Sequence, residues 1–321
     1  MKFGVSLFPT HFSASPVELA KMAEGLGFES FFVSEHSHIP VDTDFALGGE
    51  VPMGYRSMFD PFAALGAVAA VTDTIKIGTA ICIIPQHDPI NCAKAISTLD
   101  QLSGGRVLFG VGAGWNPPEM ENHGVAFSNR FKITRERLEA MKALWTEEEA
   151  EYQGELVSFS RSWQWPKPIQ TPYPPILVAG AGPNILKRVV ALGNGWMPVL
   201  APEWHESMAG KLNSLEALPG KVAEARRLEE AAGKAKTSIT AMGLAPEPKY
   251  IDTLEATASN AWFSACLTML QNPHSNSYSP MRTPLGDIKD NVTDTAVLMT
   301  QVRPQRCWSR VPKRIDRIIR I

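Results

Sequence analysis

Apolar residues fall along this chain in short unbroken runs that alternate with stretches of helical period. Phe3 to Phe8 is the first run, closed by Pro9. Ser15-Pro16 then reads as the N-cap and first position of a helix, with Glu18 in its first turn. Leu19, Met22, Ala23 and Leu26 recur in it at helical spacing, and Gly25 and Gly27 end it. Ser30 to Ser34 is a second strand, followed by the polar cluster Glu35-His36-Ser37-His38. Asp60-Pro61 opens a helix over 62–71. Residues 75–84 read as one buried strand, 88–103 as a helix, and 107–112 as another buried strand after the turn Gly104-Gly105-Arg106.

The alternation continues beyond. A helix is predicted over 131–145, a proline-rich connection over 151–175, a strand over 176–179 and a helix over 185–192. A short strand follows at 195–199, a mixed-charge helical region at 205–232, a strand at 237–244 and the start of a helix at 248–256. These are seven strand–helix units in strict alternation. Such a pattern implies a parallel sheet with right-handed crossovers, covered on both faces. Closing it as a TIM (β/α)8 barrel requires an eighth strand. An open doubly wound sheet is the alternative, but it would normally carry a Gly-rich loop after its first strand, and Phe8-Pro9-Thr10 is not one.

From Thr257 the pattern changes. Residues 257–263 show neither strand nor helix period, 271–295 are polar and turn-rich, and 303–320 carry seven Arg or Lys against one Asp. An eighth strand is expected near 258–265 and none is legible there. Reading the codons of residues 256–263 one nucleotide earlier permits Asp-Gly-Ile-Glu-Arg-Val-Val-Phe, a turn and a buried strand. The chain therefore divides into a barrel domain, 1–256, and an atypical tail, 257–321, that reads as an out-of-frame translation; a genuine C-terminal extension is the other reading. The expectation is a poorly ordered tail and a barrel open between its first and seventh strands.

Composition narrows the function classes. The net charge of −2 over 321 residues gives no electrostatic reason for a nucleic-acid or anionic-membrane partner. No apolar run reaches the ~20 residues that span a bilayer. The chain enters a strand pattern at once, without a signal peptide, and its four cysteines lack metal or redox spacing. Both features fit a reduced, cytoplasmic protein.

Candidate chemistry collects at strand ends. In Gly110-Val111-Gly112-Ala113-Gly114-Trp115, alternate glycines strip one face of a strand end, where a planar ring could approach the backbone. Small residues filling a crowded barrel interior would read the same way. Glu35 beside His36 suits proton transfer. His36-Ser37-His38 also has the form of a metal pair, but later strands supply no further ligands, so no metal is expected and a metal-dependent hydrolase is disfavoured. Gly180-Ala181-Gly182-Pro183-Asn184 joins a strand to a helix N-terminus and suits a cofactor phosphate, or a tight turn. Trp115, Trp163 and Trp165 either wall an apolar pocket or pack elsewhere. Glu119 and His123 are polar pocket candidates.

Together these residues resemble the luciferase-like monooxygenase superfamily, most closely its deazaflavin branch, the enzymes using coenzyme F420. The matching pieces are residues 32–36, 77–80, 99–106, 109–115, 143–145, 166–170, 174–178 and 193–196. The resemblance implies a barrel of the bacterial-luciferase type that binds F420 or, alternatively, FMN at the C-terminal ends of its strands. It implies a non-prolyl cis peptide at Ala80–Ile81 against the cofactor's central ring. It places His36 at the ring with Glu35 tuning it, Gly112, Ala113, Gly114, Trp115 and Asn116 along the pocket, and Gly180, Gly182, Pro183 and Asn184 at the phosphate. Residues 47–58 would act as a lid. The implied activity is hydride transfer (F420) or oxygen activation (FMN) on a small organic substrate, in a chain that pairs as a homodimer. A catalytically silent cofactor-binding barrel is the reading that follows from a lost eighth strand.

Overall fold

The computed structural model describes residues 1–45, 48–200, 213–244, 250, 253–254, 257 and the backbone of 263–269. The first half contains β1 (Lys2–Leu7), α1 (Pro16–Gly25), β2 (Ser30–Val33), α2 (Met53–Arg56), α3 (Pro61–Ala69), β3 (Lys76–Thr79), β4 (Cys82–Ile83), α4 (Pro89–Leu102), β5 (Val107–Gly112), α5 (Pro117–Asn122) and α6 (Arg130–Thr146). The second half contains β6 (Ala150–Gln153), β7 (Ser158–Ser162), β8 (Ile176–Ala179), α7 (Ile185–Leu192), β9 (Gly195–Met197), α8 (Leu218–Ala231), β10 (Ser238–Leu244) and β11 (Phe263–Met269). Ser15, Asp60 and Asp88 cap α1, α3 and α4, each with proline just inside, the start signal legible in the sequence.

The main sheet is parallel and closes on itself. Its order runs β1-β2-β3-β5-β8-β9-β10-β11, and β11 returns to β1. The expected gap between the first and seventh strands is therefore not present. Residues 263–269 pair with β1 from Lys2↔Ser264 to Leu7↔Met269, and with β10 from Ile239↔Phe263 to Leu244↔Leu267. The run from Trp262 to Leu270 is mostly apolar and bounded by Asn272-Pro273, which is what a buried strand requires. It also satisfies the backbone groups that β1 and β10 would otherwise leave as open edges. The tail beyond residue 269, and most of the helix expected over 248–256, lie outside the described residues.

Strand alternation separates two kinds of packing. Val5, Leu7, Phe31, Val33, Ile77 and Val107 pack outward with α1, α3 and α4. Phe109, Val111, Ile176, Val178, Trp196, Ile239 and Ala241 pack outward in the larger cluster with α4, α6, α7 and α8. Phe32, Leu177, Met197 and Met242 fill the interior, with Ala80, Ile81, Leu108, Ala179 and Val199 only partly covered above them. That incompletely covered apolar layer is the floor of the barrel mouth.

Two elements depart from the sequence reading. The strand expected over 75–84 is broken at Ala80–Ile81, a non-prolyl cis peptide. Across the break, Gly78 and Cys82 are four residues apart while their partners Leu108 and Val111 are three apart, so this strand carries one extra residue at the bend. The proline-rich connection contains an antiparallel hairpin, β6–β7, with cis peptides at Trp165–Pro166 and Thr171–Pro172. Trp163 and Trp165 lie exposed on that connection. Among the described residues no helix is long and apolar enough to cross a membrane.

Candidate active site

Three consecutive residues at the end of β2 organise the mouth. The Ser34 hydroxyl donates to the Ala80 carbonyl, 3.0 Å away, at the cis peptide. Glu35 accepts the Ile83 N–H at 2.6 Å and pairs with His87 Nε2 at 2.7 Å. His36 Nδ1 lies 2.7 Å from Glu119 Oε2, and Trp115 Nε1–H donates to His36 Nε2 at 3.2 Å. Because the indole can only donate, Nε2 is the acceptor and Nδ1 carries the proton toward the carboxylate.

The carboxylate tuning His36 is thus Glu119, not Glu35. Neighbours in sequence at a strand end point in opposite directions, so Glu35 turns to the β3–β4 bend and His36 to the insertion after β5. Glu119 is completely buried on α5. Burial pushes its carboxyl upward, but interactions with His36, Gln86 and the Ser37 N–H outweigh burial and hold it below the ordinary carboxylate range. Glu119 is 83 residues from His36, and no local signal joins them. His123 contacts the Ser37 hydroxyl at 2.8 Å, outside the buried centre.

Glu35, Cys82 and His87 form a second cluster close enough to share an ion. Burial opposes charge on His87, but the Glu35 carboxylate raises it to about 9. The Cys82 thiol is pushed up by burial, by its contact with Cys92 and by the Glu35 charge, which keeps it protonated. In this set Glu35 and His87 form a hydrogen-bonded pair beside the Cys82 thiol.

The strand-end glycines do something other than clear room for a ring. A Cβ on Gly110 would overlap the Thr79 carbonyl oxygen and reach within 3.0 Å of Met197 Cε. One on Gly112 would overlap Ile81 Cδ1, and one on Gly114 (φ +74°) would meet Ile83 Cγ2 at 2.9 Å. Their missing side chains let the bent β3–β4 strand lie against β5. On the other side of that bend Ala80 and Ile81 are only partly covered.

Described residues of the insertion at 39–59 pack against Trp115 and His36. Phe45 and Tyr55 make edge contacts with Trp115, and Tyr55 lies 5.4 Å from His36 between ring centres. Phe59 N–H bonds the Pro9 carbonyl at 2.7 Å, tying the insertion to the end of β1. Asn116 is buried; its Nδ2 reaches Thr43, while its Oδ1 has no partner among the described residues. Ala113 is half-buried beside it. Gly180 and Gly182 take φ values of 135° and 91°, and Asn213 Nδ2 holds the Gly180 carbonyl at 3.1 Å. Pro183 and Asn184 are exposed, and Asn184 makes no side-chain cap to α7.

This end of the barrel brings a partly covered apolar bend together with a buried histidine–carboxylate pair. The sequence matches the family model for luciferase-like monooxygenase over residues 1–236.

The chain belongs to the luciferase-like monooxygenase family.

Among its relatives, an uncharacterised protein of Mycobacterium tuberculosis is 45% identical over 203 residues, covering 61% of this chain and 72% of the relative. The F420-dependent glucose-6-phosphate dehydrogenase of Amycolatopsis mediterranei is 30% identical over 186 residues, 56% of this chain and 52% of that enzyme. The crystal structure of monooxygenase RslO1 from Streptomyces bottropensis superposes with a TM-score of 0.63 at 27% identity, covering 75% of this chain and 70% of that one. Family membership makes the chain similar to oxidoreductases and monooxygenases. The hydrogen bonds of the motif at 99–106 are structural: buried Asp100 accepts two bonds from Gln170, and Arg106 bonds Ser103, Thr72, Ile75 and Ala69 at the opposite end of the barrel.

Proposed function

We propose that the protein is an F420-dependent oxidoreductase acting on a small organic substrate. The observation that carries this reading is the buried His36–Glu119 pair at the mouth, beside the Ala80–Ile81 bend. The residues fit such a cofactor. The partly covered apolar floor of Ala80, Ile81, Ala179 and Val199 would support a planar ring. The unpartnered Asn116 Oδ1 could accept from a ring or substrate donor. Gly180, Gly182, Pro183 and Asn184 would hold the phosphate at the start of α7. F420, when bound, supplies hydride exchange at a ring carbon.

The chain's own residues then orient, exclude water and move one proton. Phe45, Tyr55 and Trp115 screen the mouth. Glu119 fixes the His36 tautomer and stabilises a positive imidazole. Nε2, once released by Trp115 Nε1, is the atom that takes or returns the substrate's proton. With the sheet closed by β11, the motive for a catalytically silent barrel is removed.

A second reading is a monooxygenase that uses FMN, and the likeness to the monooxygenase RslO1 supports its monooxygenase part. Parallel binding titrations with F420 and with FMN decide between them. F420 is expected to bind in the micromolar range or tighter and FMN at least tenfold more weakly. The reverse order would replace the first reading with the second, and binding of neither would refute both.

A further inference from the structure

Glu35 does more than anchor the β3–β4 bend. One of its carboxylate oxygens, Cys82 Sγ and a ring nitrogen of His87 all lie within 4.8 Å of one another. The three come from different places in the chain. Glu35 follows β2, Cys82 opens β4, and His87 follows the 3-10 turn Ile84–Gln86. Neither the cysteine spacing nor the His36-Ser37-His38 motif marks this set, because Glu35 meets the other two only through the fold.

Carboxylate oxygen, thiolate sulfur and imidazole nitrogen are the donors that zinc takes, whereas a hard cation such as magnesium prefers oxygen alone. Around tetrahedral zinc such donors stand roughly 3.5 Å apart, so the 2.7 Å Glu35–His87 contact would open by about 0.8 Å. His87 has room for that: its side chain is 21% exposed, whereas Glu35 and Cys82 are buried. The same exposed edge gives an ion a way in. The second Glu35 oxygen holds the Ile83 N–H at 2.6 Å, the kind of outer bond that orients a ligating carboxylate.

We propose that Glu35, Cys82 and His87 bind a zinc ion that pins the β3–β4 bend to the end of β2, with a water completing the tetrahedron on the His87 side. The Glu35 carboxylate and the Cys82 thiolate offset the two charges of the ion, and His87 binds as neutral imidazole. The protons that the thiol and the imidazole give up pass to the buffer, and no electron moves. Cys92, in the first turn of α4, touches Cys82 but stands outside the ligand set. The site does not depend on which cofactor fills the mouth.

The test is equilibrium dialysis of the full chain against zinc alone at neutral pH, with a non-chelating phosphine reductant to keep both thiols reduced. One zinc per chain is expected, with a Kd in the micromolar range or tighter. The Tm should rise by roughly 5 °C at about a hundredfold excess over Kd. Cys82→Ser and His87→Gln should bind about a hundredfold more weakly, and Cys92→Ser as tightly as the wild type. Cobalt(II) in place of zinc should give the near-ultraviolet charge-transfer band of a thiolate ligand in the wild type and in Cys92→Ser, but not in Cys82→Ser. Thermal melts with a chelator check that the variants fold; if Cys82→Ser does not, the wild-type cobalt spectrum still decides. No zinc on the wild type, a cobalt complex without the thiolate band, or zinc affinity that survives in Cys82→Ser would overturn the site. Loss of zinc in a folded Cys92→Ser would overturn the three-residue ligand set.

Discussion

Alanine at Gly110 and at Gly112 should fail in different ways, although the two sites are two residues apart on one strand. At Gly110 the new Cβ would collide with the Thr79 carbonyl oxygen, which belongs to the neighbouring strand and cannot yield. The Thr79 hydroxyl also donates to the Gly110 carbonyl at 2.6 Å, so a shift of either strand strains that bond. Overpacking against backbone falls at the upper end of such costs, about 3 kcal/mol. For a chain of this size that is a fall in Tm of roughly 5 °C. At Gly112 the collision is with Ile81 Cδ1, the tip of a half-buried side chain, with Cγ1 at 3.3 Å. Ile81 can turn toward its exposed side for about 1 kcal/mol. That side is the barrel mouth, so the turned side chain takes up ring space, and cofactor affinity should fall about tenfold, or ~1.4 kcal/mol. Thermal melts and fluorescence titrations of both variants measure the two effects. A Gly112→Ala variant with wild-type affinity, or a Gly110→Ala variant as stable as Gly112→Ala, would refute this account of the bend.

Other consequences follow from single interactions. Glu119→Gln keeps the shape but removes the charge facing His36; turnover with the bound cofactor should fall at least tenfold and stability by ~1–3 kcal/mol, read by steady-state rates and a melt. His87 is raised to about 9 from an ordinary 6.5, so its pairing with Glu35 stabilises the fold fully below pH 6.5 and is lost as pH rises through 9. Urea unfolding at pH 6 and pH 9.5 should show that loss in the wild type and a flatter dependence in His87→Gln. Arg106→Lys cannot reproduce the guanidinium's five bonds and should cost ~2 kcal/mol by urea unfolding, with the rate per folded molecule unchanged because it sits away from the mouth.

Much of the barrel was legible because its strands are continuous apolar runs between turn signals. The strands at 107–112 and 176–179 and the helix at 185–192 have the predicted bounds. The break at Ala80–Ile81 was hidden from periodicity, since residues 75–84 form one apolar run; only the family resemblance indicated it. The eighth strand was missed because the polar stretch around it masked a mostly apolar core of residues, and because a strand paired on both sides draws its stability from distant partners. At the site, His36 was legible as chemistry but its partner was not. Glu35 is adjacent in sequence and divergent in space, whereas Glu119 reaches His36 only through the fold of the insertion after β5. The glycines are places of close approach, but what approaches is the chain's own backbone and Ile81, as the reading of small residues in a crowded interior had it, and not a ring.

The central claim is that a flat redox cofactor lies over the Ala80–Ile81 bend with His36 at its edge. A crystal structure of the protein soaked with F420 tests it most directly. The account predicts ring density against the Ala80–Ile81 peptide, within hydrogen-bond or contact distance of His36, and phosphate density at Gly182–Asn184. Ring density elsewhere on the molecule, or an empty mouth at saturating F420 and at saturating FMN, would contradict it.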